Sequence, residues 1–203
     1  MNALRMTRWT HFILPRWLRG RIYHAFLSRK IENLPSRRFL HDAIIPALLE
    51  AGCKSMLFVG VQSYNRECLR RCENASLWTI DVDPEAARWA RADRHIVGDV
   101  CVIDQLVPPM CFDAVVMNGV FGYGINEASQ ARAAICALTK VAKHNAVLVV
   151  GWNPGRTIDF CHLAGIKEYL VPIFLGRMAS HVEFPPDEIQ SHSHAYDIYR
   201  IAA

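Results

Sequence analysis

Residues 56–84 read MLFVGVQSYNRECLRRCENASLWTIDVDP, and the order of patterns within them decides the fold. Met56–Gly60 and Leu77–Asp81 are short apolar runs with little polar alternation, as in parallel strands covered on both faces. Asn65–Glu73 between them has the mixed character of a surface helix. The alternation continues outward: Arg94–Gly98, Phe112–Asn118 and Ala146–Trp152 read as strands, and Pro84–Ala92, Val102–Leu106 and Asn126–Lys143 as helices. This spacing predicts an α/β fold, doubly wound and Rossmann-like, around a mostly parallel sheet. Upstream, Phe39, Ile44, Ile45, Leu48 and Leu49, closed by Gly52, predict a helix with a glycine stop. Downstream, Thr157–Gly165 reads as one more helix and Tyr169–Leu175 as a sixth strand. An irregular stretch with Pro185-Pro186 follows, then the alternating His194–Ile201. The expected sheet is seven-stranded with an antiparallel C-terminal strand, preceded by an N-terminal helical extension.

The 203 residues, 52% hydrophobic and 21% charged, suit one globular domain. No apolar run approaches the roughly 18 residues of a bilayer span. Seven cysteines form no CxxC pair, and an odd count argues against a closed disulfide framework. Cys68 and Cys72 lie four apart on an expected helix without a second ligand pair, so they read as buried thiols and no metal site is expected. Residues 1–40 hold nine Arg and Lys against the single acid Glu32, while the rest holds fourteen basic and eighteen acidic residues. We therefore divide the chain into a basic helical extension, 1–38, and a domain, 39–203. Arg16–Ile31 interleaves arginines with Trp17, Leu18, Ile22, Tyr23, Phe26 and Leu27, as a basic amphipathic helix does. Such a helix either lays its apolar face on the domain or touches an anionic surface such as lipid or RNA. Arginines interrupt every stretch that would form the core of a signal peptide. The expected location is cytoplasmic, with peripheral membrane contact through the arm as a second reading and no strong nucleic-acid signal.

Ligands of open α/β sheets bind beyond the carboxyl ends of the strands, near the point where strand order reverses. A carboxylate ending the second strand suits the two hydroxyls of a ribose, and Asp81 stands there. Asp83, just before Pro84, reads as a helix cap. Asp99, after Gly98, is placed to accept from an adenine amine while Val82 and Val100 sandwich the ring; its other reading is a cap for the next short helix.

The order Leu57-Phe58-Val59-Gly60, Thr79-Ile80-Asp81-Val82-Asp83-Pro84, Gly98-Asp99 and Phe112–Asn118 resembles the successive motifs of class I S-adenosylmethionine-dependent methyltransferases, across roughly residues 40–152. Asn118–Gly124 and His192–Arg200 resemble segments of a small bacterial branch of that family. The resemblance implies S-adenosyl-L-methionine as cofactor. It implies Gly60 at the methionine part, Asp81 at the ribose, Asp99 at the adenine amine, and Asn118 beside the methionine amino group. Gln62, Val82 and Val100 complete the implied cofactor-binding set. The sequence departs from the family after the first strand, where Val61, Gln62, Ser63 and Tyr64 replace the usual small residues; Gln62, Ser63 or Tyr64 would then donate in place of backbone.

The resemblance implies methyl transfer by direct displacement, in which the protein mainly positions the partners. Tyr123 and His194 are weak catalytic candidates by location, with His192 and Tyr196 beside them. Asn118-Gly119-Val120-Phe121 is not an Asn-Pro-Pro-Tyr sequence, so a small metabolite, a sugar or a lipid-linked glycan is the expected acceptor. Two alternatives stand. A non-catalytic cofactor-binding or structural protein would share the fold. A nicotinamide-dependent oxidoreductase would need a G-x-G-x-x-G turn, and Gln62 and Asn65 occupy its second and third glycine positions.

Overall fold

The computed structural model describes residues 26–157, 159, 163, 165–187 and 189–202. Most of the basic arm, and most of the expected helix Thr157–Gly165, lie outside them. Residues 26–32 are helical. A continuous helix, α1, follows in three pieces: Pro35–Phe39 and Ile45–Glu50 in α geometry, with a π turn, Leu40–Ile44, between them. Pro46 explains the widened turn, since its ring would crowd the Asp42 carbonyl and it has no N–H to donate. The division drawn at 38/39 thus falls inside a helix. Gly52, at φ +86°, ends α1: its N–H donates to Leu49 O and that of Cys53 to Leu48 O, both at 3.0 Å.

Strands β1 (Ser55–Val59), β2 (Ser76–Asp81), β3 (Arg94–Val97), β4 (Phe112–Asn118) and β5 (Ala142–Trp152) run parallel in the order β3-β2-β1-β4-β5. β8 (His194–Ile201) closes on β5 antiparallel, and β6 (Leu170–Pro172) and β7 (His181–Phe184) both pair with β8. The sheet therefore has eight strands, not seven. The outer edge is one rail in two pieces, β6 against Tyr199–Ile201 and β7 against His194–Asp197, because a turn bridged between Leu175 and Met178 interrupts it. β7 lies where the sequence reads as irregular; its signal was the alternation of Val182 and Phe184 with exposed His181 and Glu183.

The connections are shorter than expected. α2 (Arg66–Arg71) is preceded by a 3-10 turn, Ser63–Asn65, and the expected helices at Pro84–Ala92 and Val102–Leu106 are the 3-10 turns Pro84–Arg88 and Val100–Gln105. In Val100–Gln105 the backbone leaves helical geometry at Val102, with φ −127° and ψ 23°, so no α-helix propagates there. α3 (Ala128–Val141) is the one long helix after β1 among the described residues, with Ala131, Ala134, Ile135, Leu138 and Val141 buried. Strand alternation sorts the core: Leu57, Val59, Val115 and Met117 face α3, while Met56, Phe58, Ala114 and Val116 face α1 and α2. Cys68 and Cys72 are buried there, and burial pushes the Cys72 thiol up to about 12. Among the described residues no helix is long and apolar enough to cross a membrane.

Candidate functional site

Strand order reverses between β1 and β4, and a cleft of about 200 Å³ opens beyond their carboxyl ends. Gly60, Gln62, Asp81, Val82, Asp99, Val100 and Asn118, named from the sequence, all line it. Tyr64, Ile80, Cys101, Val120, Ile125 and Gln130 join them. No local pattern marked Ile125, which precedes α3, or Gln130, which lies in its first turn.

Asp81 carries the architecture of one wall. Its Oδ2 accepts from Val61 N–H at 2.7 Å and its Oδ1 from Asp83 N–H at 2.9 Å, so the carboxylate ties the loop after β1 to the end of β2. Asn65 Oδ1 accepts from Gln62 N–H at 2.7 Å, and the Ser63 and Ser28 hydroxyls lie 2.6 Å apart. Side chains thus hold the loop that glycines shape elsewhere. Gly60 is still required: its φ is +83°, and a Cβ would meet Val120 Cγ2 at 3.1 Å.

Asp83 accepts from Glu85 N–H at 2.9 Å and Asp99 from Cys101 N–H at 2.8 Å, so both cap 3-10 turns. Asp99 caps its turn and also lines the cleft. Asp83→Ala is expected to cost roughly 0.5–2 kcal/mol, as a lost cap, without changing ligand affinity. Thermal melts and titrations on the same sample check this; an affinity loss would move Asp83 into the binding set.

At the other end, Asn118 closes β4 and is 4% exposed. Its Nδ2 donates to Tyr196 Oη at 3.3 Å, and its Oδ1 is buried with no partner among the described residues. A Cβ on Gly151 would overlap Asn118 Oδ1 and lie 2.8 Å from Tyr196 Cε1, so β5 carries glycine there to let β4 and β8 side chains meet across it. Gly151→Ala is expected to lose about 1–3 kcal/mol of stability by overpacking. Chemical denaturation measures it, and an unchanged midpoint would contradict the contact.

The two catalytic candidates part company. Tyr123 lines the cleft, is 58% exposed, and has Arg156 Cζ 5.3 Å from its ring centroid. His194 is 3% exposed and outside the cleft lining, packed edge-on to Tyr196 with ring centroids 4.8 Å apart. Its Nδ1 lies 2.8 Å from Asn153 Oδ1, an acceptor, so Nδ1 carries the proton and Nε2 the lone pair. Burial, with the charges of Arg37 and His192, pushes the imidazole down to about 3. His194 is thus a neutral packing group behind the wall. Burial pushes the Tyr196 phenol up, so it stays protonated. His192 sits 3.4 Å from Arg156 Nη1 through its Nδ1.

Arg37 is a further residue near the cleft that sequence reasoning passed over. It lies in the stretch assigned to the extension, yet its Cζ is 5.0 Å from the Tyr64 ring centroid and its Nη2 would be 3.6 Å from a Cβ on Gly119. Asp113, by contrast, belongs to the opposite end of the sheet. Burial alone would raise its carboxyl, but bonds from Lys143, Ser55 and Lys54 hold it down to about 2, clamping the starts of β1 and β4.

No family model matches the chain, and no curated protein matches it. Solved structures do. The N-methyltransferase NodS from Bradyrhizobium japonicum WM9 aligns at 20% identity and TM-score 0.62, covering 85% of this chain and 99% of its own. The same protein in complex with S-adenosyl-L-homocysteine aligns at 17% identity and TM-score 0.65, covering 89% and 98%. A TehB-like SAM-dependent methyltransferase from Corynebacterium glutamicum ATCC 13032 aligns at 17% identity and TM-score 0.55, covering 77% and 86%. The fold is that of the class I S-adenosylmethionine-dependent methyltransferases.

Proposed function

We propose that this chain, built on the class I methyltransferase fold, binds S-adenosyl-L-methionine in the cleft and transfers its methyl group to a small metabolite, a sugar or a lipid-linked glycan. One observation carries the reading: two carboxylates, a pair of valines and a buried amide oxygen without a partner line one cleft at the switch point, in the order the cofactor's parts would need. Asp81 uses one lone pair of each oxygen on backbone amides and has the others for ribose hydroxyls. Val82, 65% exposed, and Val100 offer apolar surface to a flat ring, and Asp99 keeps one oxygen for an exocyclic amine. Asn118 Oδ1 suits an ammonium, which would satisfy an otherwise costly buried acceptor.

When bound, the cofactor supplies a sulfonium methyl that a nucleophile attacks in line. The protein's part is orientation: Asn118 is fixed by Tyr196, and the loop Gly119–Gly124 presents Tyr123 at the mouth of the cleft. Protonated Tyr196 holds Asn118, and neutral His194 packs against Tyr196, so neither takes the acceptor's proton. Tyr123, the exposed phenol at the cleft mouth, is placed to meet the acceptor.

The amides of Gly60, Val61 and Gln62 already donate to Ile80 O, Asp81 and Asn65. A pyrophosphate needs such amides free at a helix N-terminus, which disfavours a nicotinamide dinucleotide. Calorimetric titration with S-adenosylmethionine, S-adenosylhomocysteine and NAD is the test. Binding of the first two and not the third is expected; binding of neither would leave only the fold, and binding without turnover on any acceptor would point to a non-catalytic module.

A further inference from the structure

Beside the Asn118 end of the cleft, several buried polar atoms lack a hydrogen-bond partner among the described residues: Arg37 Nη1, Asn118 Oδ1, His192 Nε2 and His194 Nε2. Three of these are acceptors or neutral rings, and one belongs to a permanent cation. No carboxylate pairs with Arg37 among the described residues, in contrast to Arg70 and Arg71, which hold Glu67. The Arg37 guanidinium rests on the Tyr64 ring, and its Nη2 approaches Gly119; those two residues line the cleft, and Arg37 stands directly behind them. The charge also reaches His194 and Tyr196, which burial keeps neutral, so neither compensates it. A guanidinium partly withdrawn from water with no counter-charge is unfavourable unless an anion completes the site. Its planar fork is shaped for the two oxygens of a carboxylate or phosphate.

We propose that Arg37 is the anion receptor of this cleft, taking a carboxylate-class oxyanion at the Asn118–Gly119 end. The sources of that anion rest on the methyltransferase reading: the methionyl carboxylate of the cofactor, or a carboxylate or phosphate on the acceptor. The loop after β1 makes a dedicated receptor necessary, because the amides of Val61 and Gln62 are taken by Asp81 and Asn65.

The full chain and its Arg37→Gln and Arg37→Lys variants are titrated with S-adenosylhomocysteine and with 5′-methylthioadenosine, which keeps the nucleoside and sulfur but lacks the amino-acid end. If the anion is the cofactor's, Arg37→Gln weakens S-adenosylhomocysteine about ten- to a hundredfold and leaves methylthioadenosine unchanged, with partial recovery in Arg37→Lys. If it is the acceptor's, both affinities hold. Inorganic phosphate or acetate then raises the melting temperature of the S-adenosylhomocysteine complex in wild type and not in Arg37→Gln. Equal loss of both nucleosides, or no loss together with no Arg37-dependent response to phosphate or acetate, overturns the proposal. Wild-type protein that binds neither nucleoside overturns the methyltransferase reading instead, and the phosphate and acetate melts on the free protein still decide the fate of Arg37.

Discussion

Asp81→Asn is expected to weaken S-adenosylhomocysteine binding about ten- to more than a hundredfold, the usual effect of losing a charge-assisted hydrogen-bond partner. The carboxylate accepts from Val61 and Asp83 amides at once. An asparagine would turn one of its two ends into a donor facing an N–H, so the loop after β1 would lose its tie to β2. Stability should therefore fall by roughly 1–3 kcal/mol in the same variant. Calorimetry on the folded fraction, paired with denaturant melts, separates the two effects. Lower stability with unchanged affinity would reduce Asp81 to a loop clamp and remove it from the ribose site.

A pH titration of stability is expected to show a second large effect, centred on His194. The unfolded histidine titrates near 6.5, whereas the folded imidazole is pushed down to about 3 by burial, Arg37 and His192. Between these values the unfolded chain holds a proton that the folded chain refuses. The His194 contribution is therefore complete above pH 6.5 and is lost as pH falls toward 3, by on the order of 4 kcal/mol at the acid end. Wild-type protein should lose stability steeply across this window, and His194→Gln should flatten the slope. The residual slope would include His192 and His95, whose folded values burial also lowers. Parallel curves for wild type and variant would show that His194 protonates without unfolding its surroundings.

The two results probe features that differ in how far the sequence displayed them. Asp81 was legible because a carboxylate ending an apolar run and followed by Val82-Asp83-Pro84 has few other uses. His194 was legible only as a candidate by location. Nothing in His192–Tyr196 tells that the ring would be buried behind Tyr196 with its Nδ1 on Asn153, some forty residues away. The same limit hid Arg37. Its neighbours in sequence are basic and surface-like, and the role proposed for it rests on α1 bringing its guanidinium beside Tyr64 and Gly119.

The sequence by itself determined the alternation of strands and helices, the parallel core, the glycine stop of α1, the cap at Asp83, and the strand ends that line the cleft. These follow from local physics: the period of apolar residues, the geometry of glycine and proline, and the reach of an Asp side chain to an amide two residues on. Tertiary structure decided whether the short alternation at β7 becomes a strand, because its four residues pair with β8. It also decided the glycine at 151, required by side chains of β4 and β8, and the burial that neutralises His194. Each depends on groups far apart in the chain and brought within a few ångströms, and burial, unlike periodicity, is a property of the assembled sheet that no single segment carries.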